Sequence, residues 1–156
     1  MKWRNGEYLL SDERQHFDLG AICALLQDTY WAADRPRSFV ERAVANSVCL
    51  GLFHGDEQIG LARAVTDSVT FTWICDVVIH PRYRGRGLGK WMVKILLEHP
   101  ATQTRSQVLA TRDAHGLYQP FGFKAEEFLK RKLDVYCQAD PADSPPAKNG
   151  HNHLPG

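Results

Sequence analysis

No stretch of this chain approaches the eighteen or so consecutive apolar residues of a membrane span, so a transmembrane reading is set aside. The opening residues MKWRNGEYLL hold no long apolar run of the kind that directs secretion, and a soluble, cytoplasmic protein is expected. Cysteine is sparse and scattered. Cys23, Cys49, Cys75 and Cys137 form no CxxC pair, which removes the usual zinc and dithiol redox patterns, and three of them lie in apolar periodic segments as buried, reduced thiols. Neither sign of charge is in excess: 19 Lys and Arg against 18 Asp and Glu leave a formal net charge of +1. No global field therefore recommends nucleic acid or an anionic membrane as partner. Internal repeats are absent, and the only close histidine pair, His151 and His153, sits in a polar terminal stretch that makes a poor metal site. No metal is expected.

A chain of 156 residues with 44% hydrophobic content is the size of one domain with a sizeable core. Residues 1–137 read as that domain. From Gln138 the composition turns to Pro, Asp, Asn, Gly and His, and residues 138–156 are expected to be a flexible tail. Glu7 to Leu10 reads as a first strand, and Leu19, Ile22, Cys23, Leu26 and Tyr30 recur at helical spacing, predicting a helix over Asp18 to Tyr30. A second helix begins near Ser38, where Ser38 and Glu41 have the form of a capping box. Ser47 to His54, Gln58 to Val65 and Val69 to Ile79 read as three antiparallel strands, turned at Gly55–Asp56 and at Asp67–Ser68. A helix from about Gly87, a strand Gln107 to Thr111, a short helix Asp113 to Gln119 and a last strand Glu127 to Tyr136 complete a mixed α/β domain with a central sheet.

The stretch VVIHPRYRGRGLGKWMVKILL, Val77 to Leu97, carries the most chemistry. Gly85, Gly87 and Gly89 let the backbone approach a ligand closely, and Leu88, Trp91, Met92, Ile95 and Leu96 give the following helix a face to bury. That packing fixes the helix start, so its first unpaired N–H groups and positive dipole end face whatever lies before it. Arg82, Arg84, Arg86 and Lys90 surround the same point with positive charge. An anion is the expected occupant, most economically a pyrophosphate. A dinucleotide fingerprint would need glycine where Lys90 stands, and a P-loop would need Ser or Thr where Trp91 stands.

What remains is RxxGxG, formed by Arg84, Gly87 and Gly89 after a strand ending in Ile79, and a second block in TRDAHGLYQPFGF containing Ala114, Leu117, Tyr118, Phe121, Gly122 and Phe123. Together the two blocks resemble the acetyl-CoA signature and the following AxxLYxxxGF block of the GNAT superfamily of N-acetyltransferases. The resemblance spans roughly residues 7 to 136 in element order. It implies a central, mostly antiparallel twisted sheet of about six or seven strands flanked by about four helices. It also implies transfer of an acetyl group from acetyl-CoA to a primary amine of a small molecule by direct attack in a ternary complex, in a monomer or homodimer. A non-catalytic acyl-CoA binding or sensing protein would keep the glycine turn without depending on Tyr118. An RNA-binding use of RYRGRG fits poorly, because the arginines stand between a strand and an amphipathic helix.

The resemblance also implies site roles. Val77, Val78 and Ile79 pair through their backbone with the pantetheine arm; Arg84, Gly85, Arg86, Gly87, Leu88, Gly89 and Lys90 hold the pyrophosphate. Tyr118 stands where the family often has a tyrosine that protonates the departing thiolate, though Pro120 should end its helix early. The glutamate base of members that acetylate protein lysines aligns with Trp73, so that base is missing. Asp76 is the one carboxylate in this strand, and alternation puts it on the face of Thr70, Thr72, Ile74 and Val78. It is either a structural acid or a substrate-facing base, with proton relay by water equally open. With a two-residue turn at Asp67–Ser68, Arg63 would face Thr72, ~13 Å along the strand from Asp76, and the two would not pair. His115 reads as a helix-start residue. For the acceptor, the resemblance implies a pocket at the connection of the first two helices, where Tyr30, Trp31, Asp34 and Arg35 fall; Trp31 and Arg35 would flank an amine bearing a carboxylate.

Overall fold

The computed structural model describes residues 1–133. Among them six strands form one sheet in the order β1-β2-β3-β4-β5-β6: β1 Lys2–Asn5, β2 Tyr8–Ser11, β3 Val48–His54, β4 Glu57–Thr66, β5 Phe71–Ile79 and β6 Ser106–Leu109. Neighbours are antiparallel except β5 and β6, which are parallel. Four α-helices flank the sheet: α1 Leu19–Gln27, α2 Arg37–Ala45, α3 Leu88–Glu98 and α4 His115–Tyr118. On one face Leu88, Met92 and Leu96 of α3 pack against Leu50, Leu52, Ala62, Ala64 and Ile74. On the other, Ile22, Leu25 and Leu26 of α1 and Val40 and Val44 of α2 cover Cys49, Leu61 and Val78. The sheet thus has two separate cores, as its alternating strands require.

Several sequence expectations change. Strand β1 was not anticipated; it closes on β2 through Gly6, whose φ of 58° suits a tight turn. Helix α1 ends at Gln27 rather than Tyr30, with Asp18 as its cap, accepting from the Ala21 amide at 3.0 Å. The capping box at Ser38 does not form: α2 begins one residue earlier, after Pro36, without a side-chain cap. Ser38 Oγ is instead buried with no hydrogen-bond partner. An unsatisfied buried hydroxyl costs about 1–3 kcal/mol, and alanine is the better helix former. Ser38→Ala is therefore expected to raise the melting temperature by a few degrees, read by calorimetry or circular dichroism; a fall would show that the hydroxyl has a partner in solution.

The β4–β5 connection is longer than the two residues expected. Thr66 pairs with Thr72, leaving five residues between the paired positions. The Asp67 carboxylate accepts the backbone amides of Val69, Thr70 and Phe71 and the Thr70 hydroxyl, which stabilises the wider turn and holds its carboxyl well below the usual range. The register consequently moves by three residues, and Arg63 faces Cys75 instead of Thr72.

A second irregularity lies on β5 itself. Between the pairs Leu61↔Val78 and Arg63↔Cys75, two steps on β4 are matched by three on β5. The extra residue is a bulge at Asp76, whose φ of 49° is left-handed. It breaks the alternation expected of the strand. Ile74 joins the α3 core, whereas Val78, four residues on, joins the α1–α2 core. Asp76 shares the α1–α2 side with Val78 but not with Thr72 and Ile74.

Over residues 127–133 no strand forms, and Phe128, Leu129 and Leu133 are exposed. The rest of that expected strand, Cys137, the end of the domain and the tail from 138 lie outside the described residues. No helix among the described residues is long and apolar enough to cross a membrane.

Candidate active site

The two parallel strands β5 and β6 pair only from Phe71↔Ser106 to Ile74↔Leu109. Beyond Ile74 they part, and Cys75 to Ile79 has β4 on one side only. The direction of the backbone follows from one bond: His80 N–H donates to Ile59 O at 2.8 Å, toward β4. By alternation Val78 also points its N–H and C=O to β4, while those of Val77 and Ile79 point into the opening. Ile79 O accepts Arg84 Nε at 3.0 Å on that side. The cleft therefore offers the N–H and C=O of Val77 and the N–H of Ile79, with Val78 contributing its side chain to the α1–α2 core.

The glycine turn closes the upper end. A one-turn 3-10 helix, Pro81–Tyr83, leads into Gly85 and Gly87, with φ of 76° and 75°. Gly87 is the N-cap of α3, and the first helical bond runs from Trp91 N–H to Gly87 O at 3.1 Å. The amides of Leu88, Gly89 and Lys90 thus stand at the positive end of an eleven-residue helix without helical acceptors. Added Cβ atoms at Gly85 and Gly87 would meet no atom within 4 Å, so the backbone faces open space there. Leu88 is buried and pins the helix start to the core. This cradle fits a pyrophosphate, and the strand opening below it fits an extended amide-bearing arm.

The arginines divide. Arg84 reaches back to Ile79 O, and Arg82 and Lys90 are exposed. Arg86 turns away from the cleft: its Nη1 donates to Tyr8 Oη at 2.7 Å and its guanidinium stacks over the Tyr83 ring. Tyr83 is buried, donates to Glu57 Oε2 and meets His54 Nδ1, both at 3.1 Å, and so ties the turn to β3 and β4. Sequence reasoning did not assign Tyr83 this anchoring position.

Asp76 is 4% exposed and both of its oxygens are engaged. Trp31 Nε1 donates to Oδ1 at 3.1 Å; Arg35 Nη1 and Arg63 Nε donate to Oδ2 at 2.8 and 2.7 Å. The expectation that Arg63 would not pair with Asp76 is thus overturned by the wide loop and the bulge, which together bring them side by side. Burial alone would push this carboxyl up, but the charges and hydrogen bonds of Arg63 and Arg35 outweigh it and hold Asp76 below its ordinary value. Arg63 Nη1 continues to Ser47 Oγ at 2.9 Å, which donates to Ala43 O in α2. Three parts of the chain, β5, β4 and the α1–α2 connection, meet at one carboxylate, and Arg63 extends the contact toward α2.

Tyr30 and Trp31, both partly exposed, lie edge to face on the α1–α2 connection. The guanidinium of Arg112, from the β6–α4 loop, stacks on the Tyr30 ring at 3.8 Å, a contact with no sequence signal. Tyr118 ends α4, as Pro120 in the next turn requires. Its ring packs edge-on to Phe123, and its hydroxyl has no hydrogen-bond partner among the described residues. Burial, with Tyr30 and Asp113 nearby, pushes the phenol up to about 12. Tyr118 lines an open cavity of about 950 Å³ that runs along β6, from Ser106 to Thr111, with Trp73, His115 and the residues from Phe121 to Phe128.

Comparison with known proteins agrees with this geometry. The family model described as Acetyltransferase (GNAT) family matches residues 11–123. The crystal structure of xcc2953 from Xanthomonas campestris pv. campestris, described as belonging to the GNAT family, superposes with a TM-score of 0.78 at 36% identity, covering 83% of this chain and 96% of that one. SA2161 of Staphylococcus aureus, with a TM-score of 0.69 and 19% identity over 81% of this chain and 99% of its own, shows the same fold. FG08082 of Gibberella zeae is 34% identical over 116 residues, 62% of this chain and 66% of that protein. Histone acetyltransferase TAP1 of Glycine max is 30% identical over 124 residues, 70% of this chain and 52% of that protein. The chain spans two thirds or less of the length of these two curated relatives.

Proposed function

The chain belongs to the GNAT acetyltransferase family, and from that membership we propose that it moves an acetyl group from acetyl-CoA to a primary amine of a small molecule by direct attack in a ternary complex. The observation that carries this reading is the cleft at which β5 parts from β6 directly below a glycine-capped helix N-terminus. Acetyl-CoA supplies the activated thioester. Val77 grips the arm through its N–H and C=O and Ile79 through its N–H, groups left unpaired by β6, and the amides from Gly85 to Lys90 hold the pyrophosphate. The bulge at Asp76 turns the adjoining Val77 backbone toward the opening, where its N–H can stabilise negative charge developing on the carbonyl oxygen.

The amine nitrogen attacks the carbonyl carbon and the carbon–sulfur bond breaks. Tyr118 gives its phenolic proton to the departing sulfur. The proton lost by the amine passes to water, because Asp76 has both oxygens occupied and is held in its ionised form by two guanidinium groups. Asp76 serves the site by fixing the bulge and the acceptor-side connection.

Gly87→Val is expected to abolish measurable acetyl-CoA binding, since a branched side chain at φ 75° is strained and would stand in the cradle. Arg84→Ala should weaken binding by about tenfold at low salt and less at high salt. Titration calorimetry reads both. Unchanged affinity in a folded Gly87→Val protein would sink the site assignment, and binding without thiol release across an amine panel would favour a non-catalytic acyl-CoA sensor.

A further inference from the structure

The cluster around Asp76 does not balance its charge. Two guanidinium groups, Arg35 and Arg63, converge on one carboxylate, leaving an excess of one positive charge beneath the acceptor-side connection. The side chains of Arg35 and Arg63 are only 15% and 12% exposed, so water does little to offset it. No second carboxylate pairs with either guanidinium among the described residues, and Asp34, beside Arg35 in sequence, is exposed. The neighbouring thiols do not supply the missing negative charge: burial pushes Cys49 up to about 12 and Cys75 to about 11, so both stay protonated at neutral pH. Arg14 adds a further cation close by, bound among the described residues to the carbonyls of Ala45 and Ser47. From the β6–α4 loop, Arg112 stacks on Tyr30 and Asp113 lies near Tyr118, and neither pairs with the cluster.

Arg35 is the member of the cluster with donors to spare. Only its Nη1 is used on Asp76; Nε and Nη2 have no partner among the described residues. It sits four residues beyond Trp31, on the connection that carries the exposed Tyr30 and Trp31 rings, of which Tyr30 lies near Tyr118. A guanidinium already oriented by a buried carboxylate is pre-organised to take an anion with its remaining N–H groups.

We propose that the acceptor is a small primary amine that also carries an anionic group, a carboxylate or a phosphate, and that this group docks on Arg35. The proposal rests on the acetyl-transfer reading and narrows its substrate class. The anion completes the charge balance of the Asp76 cluster and leaves the amine free to reach the thioester; amines bearing additional cationic groups are repelled by the same excess.

Matched acceptors test this by thiol release at saturating acetyl-CoA: L-phenylalanine against phenethylamine for the carboxylate, and O-phosphoethanolamine against ethanolamine for the phosphate. In the native protein kcat/KM should favour the anionic member of at least one pair by tenfold or more, and the pair that shows it identifies the group. In Arg35→Met the preference should collapse toward unity, and Arg35→Lys should restore part of it. The ratio stays informative even if a variant loses overall activity, because misfolding lowers both members alike. Ratios at or below one in both pairs, or a preference that survives Arg35→Met, overturn the proposal. Release of thiol with the uncharged-tail amines alone does so while leaving acetyl transfer intact. Failure of every amine despite acetyl-CoA binding overturns acetyl transfer itself and this inference with it.

Discussion

Tyr118→Phe is expected to lower turnover by about 10²- to 10⁴-fold while leaving acetyl-CoA affinity almost unchanged. The ring stays, so its packing on Phe123 is retained. Because the hydroxyl has no partner among the described residues, its removal leaves no polar group stranded, and stability should not fall. With its ionisation pushed up to about 12, the phenol remains protonated across the neutral range and is available there as an acid. The same burial makes it a reluctant donor, so its proton moves only once sulfur carries nearly a full negative charge. Two consequences are measurable. The alkaline limb of the native pH–rate profile should show no loss assignable to this tyrosine below about pH 11, and the defect of the Phe variant should shrink with an acyl thioester whose leaving thiol has a lower pKa. Wild-type turnover in Tyr118→Phe, with chemistry shown to be rate-limiting, would make the residue a packing group.

The parts of the fold legible in the sequence were those set by periodicity. The α3 face and the glycine that starts the helix could be read because Leu88, Met92 and Leu96 recur at helical spacing and because Gly87 must adopt a positive φ. The hairpins of β3, β4 and β5 were visible from their turn residues, and the turn at Gly55–Asp56 sets His54 opposite Glu57 as expected, but the register of β4 on β5 was not legible. It depends on how many amides the Asp67 carboxylate captures, a choice among local hydrogen bonds that residue types alone do not decide. The bulge was hidden for a similar reason. Asp tolerates a left-handed φ better than most residues, yet nothing in FTWICDVVI requires it, and the pairing of Arg63 with Asp76 exists only because register shift and bulge act together. The expected last strand was the weakest inference: Glu127 to Leu133 has no two-residue alternation to bury, and its apolar side chains stay exposed.

Of the candidate site, the glycine-started helix N-terminus after β5 was legible from motif and physics alike, whereas the packing around Asp76 was legible only in outline. Tyr30, Trp31 and Arg35 do gather at the connection of α1 and α2, but what holds Trp31 and Arg35 there is a carboxylate 45 and 41 residues further along, reached through side chains. Contacts of that kind leave no period in the sequence. Arg112, which stacks on Tyr30 from across the cleft, is another.

Asp76→Asn should then be the most destabilising single change in the site. Asparagine is nearly isosteric, tolerates the left-handed conformation at φ 49° and can still accept from Trp31, so the backbone and packing are spared. What is lost is the negative charge shared by Arg35 and Arg63, both largely buried. Removing one partner of a buried ion pair typically costs about 3–5 kcal/mol, since the remaining charge stays buried without compensation. For a domain of this size that corresponds to a fall in melting temperature of roughly 10–20 °C. The pH dependence fixes the cause. The folded protein holds the Asp76 carboxyl below its ordinary value, so the folded state binds this proton less readily than the unfolded chain. Its contribution is therefore complete above the unfolded value of about 4 and is lost as pH falls through that value toward the lower folded one. Native and Asp76→Asn proteins should differ most near neutrality and converge in acid. A difference in melting temperature that is small at pH 7, or that persists unchanged well below pH 4, would show that the carboxylate's charge is not what joins β5, β4 and the acceptor-side connection.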